Sequence, residues 1–309
     1  MRSAAGTHRT GKVYRIGALS LTSVNNRTWA EGLAEPLAAL GYVVGKNIGF
    51  VERDAGGSAE RLPMLAADLV RLNVDLIVAG PAVAIRAAHD ATKTIPIVMT
   101  FSGDDPVESG FVTSLAHPGG NVTGVTAQLR DIVPKMVELL RGTVPTLVHL
   151  GVLVNALRPE HVEYVKTMQE ARPAGIQFHP VRVREPGEYK SAFATLTRDR
   201  VDAVVLLGDV QFTRDSRALA ELAIEHRLPC IYVFKAFVKA GGLLSYGPDE
   251  FQLFSLACQY IDKILRGASP ASLPVEQPTK FFLAVNRETA KAIGLTIPQS
   301  LLLRADEVI

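Results

Sequence analysis

Two segments of the chain, "LVRLNVDLIVAG" (69–80) and "LTRDRVDAVVLLG" (196–208), share the pattern L-x-R-x-x-V-D followed by an apolar run. In both, an amphipathic helix pattern passes through a short turn into a strand apolar enough to be buried on both faces. A second pair follows, since "IPIVMTF" (95–101) and "LPCIYVF" (228–234) agree in their proline and final phenylalanine. Gly17 with Gly151, Asp75 with Asp202 and Phe101 with Phe234 recur in the same order along the chain. One such match between two βα units carries little weight, but several in series point to two domains of similar topology.

The surrounding segments obey the same grammar. Apolar strands at 14–20, 47–54, 75–80 and 95–101 alternate with helical patterns at 29–40, 61–71 and 84–92. After "NVTGVTA" (121–127) the alternation restarts, with strands at 149–155, 176–183, 202–209 and 228–234 and helices at 160–172, 188–199 and 214–226. This is an α/β class with parallel sheets covered by helices, read as two Rossmann-like lobes. Ligands of open α/β sheets lie beyond the carboxyl ends of the strands, so a cleft between two such lobes is the expected place for function.

Charge removes one class of partner. Lys and Arg number 33 against 31 Asp and Glu, a net +2 with no basic run, which is no footprint for nucleic acid. Cys230 and Cys258 have no C-x-x-C spacing and lie in apolar stretches, as buried free thiols do. No window approaches the roughly 18–20 apolar residues that cross a bilayer. Residues 1–12 are polar and expected to be disordered, and the chain as written carries no secretory h-region, which leaves a cytoplasmic setting open.

A search for chemistry finds no constellation. "GYVVGKN" (41–47) is one residue short of a phosphate loop and ends in Asn47, and "GALSLTS" (17–23) lacks the second glycine of a dinucleotide fingerprint. "GGLLSYG" (241–247) places Leu243 where a nucleophile elbow needs glycine. The seven histidines (8, 89, 117, 149, 161, 179, 226) show no metal-ligand spacing, and each reads as a surface or half-buried residue. No catalytic residue, metal or cofactor is assigned.

Binding residues are assigned by position at strand ends. In the first half these are Ser20 and Asn25, then Gly80, Pro81 and Ala82, then Ser102 and Gly103, where small residues and hydroxyls leave donors open for a carboxylate. In "FSGDDPVESG" (101–110), Asp105, Pro106 and Glu108 fit the N-cap, N1 and N3 positions of a helix, which favours capping over catalysis for Asp105. In the second half the candidates are Asn155, Asp209 and Lys235, with Phe237 and Tyr246 as rings that could stack on a ligand or pack in the core. Asp209 suits either a ligand ammonium or the cap of a helix near Thr213.

Four stretches carry a family resemblance: "ALGYVVGKNIGFVERDA" (39–55), "HPGGNVTGVTA" (117–127), "FVKAGGLLSYGPD" (237–249) and "LPVEQPTKFFLAVNRETAKAIGLTIPQSLLLRADEVI" (273–309). Together they resemble the ABC-transporter substrate-binding proteins that include bacterial tryptophan and tyrosine binders, over nearly all of 13–309. The resemblance implies a type I periplasmic binding protein, monomeric, with lobes of 13–127 plus 249–272 and 128–248 plus 273–309. It further implies a periplasmic location, a membrane permease as partner, and an amino acid or related small carboxylate as ligand. Its carboxylate would meet Gly80, Pro81, Ala82 and Ser102, and its ammonium Asp209. The loops "LSLTSVNNRTW" (19–29) and "VNALRPEHVEY" (154–164) depart from the family pattern, so ligand identity does not transfer with it. A small-molecule sensing domain is the second reading and an α/β enzyme the third.

Overall fold

A computed structural model describes residues 12–22, 29–127, 129–158, 160–171 and 175–309. Asn25 lies outside the described residues. The chain begins with β1 (Tyr14–Ser20), α1 (Trp29–Ala39), β2 (Ile48–Asp54), α2 (Leu62–Arg71), β3 (Leu76–Gly80), α3 (Ala82–Ala91), β4 (Ile97–Met99) and β5 (Val122–Gly124). It continues through α4 (Leu129–Thr143), β6 (His149–Asn155), α5 (Glu160–Glu170), β7 (Gln177–Val183), α6 (Tyr189–Arg198), β8 (Ala203–Leu206), α7 (Val210–Arg214) and α8 (Ser216–Glu225). Then come β9 (Cys230–Tyr232), α9 (Lys235–Lys239), β10 (Leu244–Pro248), α10 (Glu250–Leu265), β11 (Phe281–Val285), α11 (Arg287–Ala292), α12 (Gln299–Leu302) and β12 (Glu307–Val308).

The chain divides into two compact units, Met1–Ala127 with Phe251–Pro278, and Gln128–Glu250 with Thr279–Ile309. The first holds a five-stranded sheet of order β2-β1-β3-β4-β5, parallel throughout. The second holds seven strands in the order β12-β11-β10-β9-β8-β6-β7. Its core, β7-β6-β8-β9-β10, repeats the first sheet strand for strand, while β11 adds antiparallel to β10. The central strands β3 and β8 are buried at every position, as their unbroken apolar sequences require. The edge strands β2 and β7 keep Glu52 and Arg53 half exposed and Arg182 exposed, which protects the open edge from further pairing.

The repeated letters have matching physical jobs. A Cβ on Gly17 would meet Leu69 Cδ1 at 3.2 Å and Val74 Cγ2 at 3.1 Å, and one on Gly151 would meet Leu196 Cδ2 at 2.6 Å and Val201 Cγ2 at 3.3 Å. The Leu and Val of L-x-R-x-x-V-D thus seat α2 and α6 on the bare backbone of β1 and β6. Asn73 and Arg200 make the turn with φ of 51° and 54°. The motif aspartates then tie the turn to the neighbouring strand: Arg15 N–H donates to Asp75 Oδ2 at 2.8 Å, and His149 N–H to Asp202 Oδ2 at 2.8 Å. The matched prolines likewise offer their carbonyls to the next strand, Pro96 to Ile77 N–H at 2.8 Å and Pro229 to Val204 N–H at 2.9 Å.

One element is added and one expectation changes. The helix expected at 214–226 is α8, and a short helix not expected from sequence as a separate element, α7, precedes it. No helix follows Asp105: residues 106–110 form a turn, closed where Gly110 adopts φ 70° and Phe111 N–H returns to the Pro106 carbonyl at 2.9 Å. Asp105 still caps, its Oδ1 accepting from Val107 N–H at 2.7 Å and Glu108 N–H at 3.3 Å. The capping chemistry is right, but the left-handed glycine stops the helix after a single turn. Among the described residues no helix is long and apolar enough to cross a membrane.

Candidate functional site

In the first unit the strand order reverses between β1 and β3, which places the carboxyl ends of those strands at the switch point where open α/β sheets take their ligands. Ser20, Asp54 and Gly80 end their strands as register partners there. Ser20 is buried and its hydroxyl donates to Asp54 Oδ2 at 3.3 Å. Gly80 joins Pro81 through a cis peptide, and its backbone passes so close to the next strand that a Cβ would meet the Phe101 carbonyl at 3.0 Å. Pro81 is the N-cap residue of α3, and Ala84 and Ile85 return their amides to its carbonyl. The amides of Ala82 and Val83 sit ahead of that bond pattern, at the positive end of a ten-residue helix.

Ser102 is fully buried, and its hydroxyl donates to the Asp104 carbonyl at 3.3 Å. Its own carbonyl accepts from Ala127 N–H at 2.7 Å and from the Thr126 hydroxyl at 3.2 Å. The loop through Gly103 is therefore stapled to the end of the segment that contains β5. Asp105 uses its Oδ1 on two backbone amides.

The second unit carries a denser polar cluster at the equivalent switch point, between β6 and β8. Asp209, with its side chain 1% exposed, caps α7 by accepting Gln211 N–H at 2.8 Å and Phe212 N–H at 3.1 Å on Oδ1. Its Oδ2 takes Arg158 Nε at 3.0 Å, and the Arg158 side chain is only 5% exposed. Asp209 thus combines the capping role with an ion pair. Glu160 Oε1 stands 3.7 Å from the same guanidinium.

Asn155 ends β6, and its Oδ1 accepts Leu157 N–H at 3.0 Å. Its backbone N–H donates to Nδ1 of His161 at 3.0 Å, while Nε2 of His161 lies 3.3 Å from the Gly208 carbonyl. Only one neutral tautomer satisfies both contacts, with the proton on Nε2. Burial pushes the His161 imidazole down to about 4, against the opposing pull of Asp209 and the Gly208 carbonyl. Contrary to the surface or half-buried setting read from sequence, His161 is 1% exposed.

The remaining candidates divide. Phe237 is buried and stacked on Tyr232 with centroids 4.4 Å apart, a core contact. Tyr246 is half-buried on β10, tilted against Phe281 at 5.9 Å. Lys235 opens α9 and donates to Asp249 Oδ2 at 3.0 Å. Sequence reasoning missed Arg158 and His161. Their signal is the run Asn155-x-x-Arg158-x-x-His161 immediately after a buried strand, where one turn gathers three polar side chains.

The family described as ABC transporter substrate binding protein matches residues 23–309. A tyrosine-binding protein of Clostridioides difficile (strain R20291) is 27% identical over 266 residues, covering 86% of this chain and 76% of that protein. Among solved structures, a conserved domain protein from Vibrio cholerae superposes with a TM-score of 0.87 at 27% identity, covering 96% of this chain and all of the other. An ABC domain from Streptococcus pneumonia in complex with L-Trp gives 0.85 at 26% identity with the same coverage. The repeated sheets, the polar strand ends and a family match over nearly the whole chain agree: this protein belongs to the ABC transporter substrate-binding proteins.

Proposed function

We propose that this chain binds an amino acid, or a related small carboxylate, outside the cytoplasm and hands it to a membrane permease without chemical change. The first unit supplies a carboxylate subsite of Ser20, the α3 amides after Pro81, and the loop of Ser102 and Gly103. The reversal of strand order at Ser20 and Gly80 beside the start of α3 carries this reading, because fixed backbone donors and a helix N-terminus suit an anion. In the second unit, two carboxylates, Asp209 and Glu160, face one guanidinium, Arg158, around a neutral imidazole. A ligand ammonium would pair with the carboxylates of this cluster. The relatives named for tyrosine and solved with L-Trp make aromatic amino acids the first ligands to try.

Thermal unfolding with L-tryptophan, L-tyrosine and indole-3-propionate tests the reading. A ligand that binds only the folded protein stabilises it by about 2.7 kcal/mol at a hundredfold excess over its Kd. The expected result is a rise in Tm with an amino acid and a smaller rise with the analogue that lacks the ammonium. No rise with any amino acid or small carboxylate would overturn the ligand class.

A further inference from the structure

We propose that His161 is a positioning residue that pins the carboxyl ends of β6 and β8 to each other, so that Asn155 and Asp209 are held in fixed register for the ligand. This rests on the reading above, in which those strand ends bind the solute.

The ladder between β6 and β8 runs from Leu150 opposite Ala203 to Leu153 opposite Leu206, and then stops. Continued by two residues, the same register would set Asn155 opposite Gly208. Instead the imidazole stands between them, accepting the Asn155 N–H at 3.0 Å and reaching the Gly208 carbonyl at 3.3 Å. In a parallel ladder the Asn155 N–H would go to the carbonyl one residue before its partner, that of Leu207; the ring takes that donor instead and lets the strands separate at the switch point while both polar groups stay satisfied. A strand end spread in this way opens room at the place where an α/β sheet takes its ligand.

The ring is held from all sides. Tyr164 on α5 lies with its centroid 5.7 Å away and Phe212 on α7 at 6.4 Å. His161 N–H donates to the Arg158 carbonyl at 3.1 Å, which fixes the start of α5. The titratable groups around it are Arg158, Glu160 and Tyr164 from α5 and the turn before it, Asp209 at the cap of α7, and Tyr189 of α6 behind Phe212. Asp209 follows Gly208 directly, so movement of the Gly208 carbonyl moves the Asp209 carboxylate with it. Protonation of the ring would place a hydrogen on Nδ1 facing the Asn155 N–H, donor against donor. Acid therefore undoes the clamp, and burial keeps the ring neutral near pH 7.

The test compares the full chain with His161→Phe, which removes both bonds, and His161→Asn, whose Oδ1 can still accept the Asn155 N–H. Amide hydrogen exchange at Asn155 reads the clamp without any ligand, and titration calorimetry with L-tryptophan reads its consequence. The expected results are exchange at least tenfold faster and tryptophan affinity at least tenfold lower in His161→Phe, with both partly restored in His161→Asn. Affinity of the unaltered protein should also fall as pH approaches 4, and that fall should be smaller in His161→Asn. A folded His161→Phe with unchanged Asn155 exchange would overturn the clamp. Unchanged tryptophan affinity in His161→Phe, where Asn155→Ala and Asp209→Asn weaken it, would overturn the positioning role while leaving the binding reading intact. Unchanged affinity in all three would instead remove this strand end from the ligand site.

Discussion

Arg158 Nε lies 3.0 Å from Asp209 Oδ2, and both side chains are shut away from solvent although 51 positions separate them in sequence. Removing one partner from such a pair leaves a buried charge uncompensated, at a cost of about 3–5 kcal/mol, whereas removing both charges costs far less. Arg158→Met should therefore destabilise the second unit by about that amount in denaturant unfolding. Arg158→Met with Asp209→Asn should recover most of the loss, because Asn keeps the oxygen that caps α7. Equal destabilisation by the single and double variants would show that the pair is not coupled.

Asp209→Asn also separates two ways of serving the ligand. It removes one of the two carboxylates around Arg158 while preserving the cap. An ammonium held nearby should lose about tenfold in affinity, and an analogue without it should lose less. Calorimetry with L-tryptophan and indole-3-propionate checks this, and equal losses for both would remove the electrostatic role of Asp209.

The doubling of the fold was legible because its cause is local. Gly17 and Gly151 need Leu69 and Leu196 above them, and Asp75 and Asp202 close adjacent turns, so spacing alone carries the pattern. The polar cluster was not legible, because Arg158 meets Asp209 and His161 meets Gly208 only once two crossovers have been folded. Neither contact has a period. Asp105 shows an intermediate case: its cap is a two-residue event that sequence can specify, but the length of what it caps was decided by the left-handed Gly110.

Acid should weaken the fold through His161. Its native value, about 4, lies below the roughly 6.5 of an unfolded histidine, so between these limits the unfolded chain holds a proton that the native chain does not. Stability from this group is then fully present above about pH 6.5 and is lost as pH falls toward 4. The difference in Tm between the unaltered protein and His161→Asn should narrow across that window. A difference independent of pH would mean that the ring does not titrate on unfolding.

The two cysteines should be inert in the folded chain. Cys230 and Cys258 are buried, unpaired, and pushed up to about 12 by burial, which leaves almost no thiolate at neutral pH. A thiol reagent should label neither in buffer and both in guanidinium chloride. Rapid native labelling of either would contradict the packing around β9 or α10.

Two glycines should respond to alanine with opposite signs. A Cβ on Gly247 in β10 would lie 2.2 Å from the Val233 carbonyl and 2.9 Å from Val233 Cγ1, and the backbone contact cannot be relieved by a rotamer change. Gly247→Ala should cost about 1–3 kcal/mol or more as β10 is forced off the end of β9. Gly32, inside α1, would meet nothing within 4 Å, so Gly32→Ala should stabilise by about 0.5–1 kcal/mol through the better helix propensity of alanine. Equilibrium unfolding of both variants decides the point. Because Tyr246 precedes Gly247, a ligand whose ring rests on Tyr246 should also lose affinity in Gly247→Ala and keep it in Gly32→Ala. Affinity retained in a destabilised Gly247→Ala would exclude Tyr246 from the ligand site.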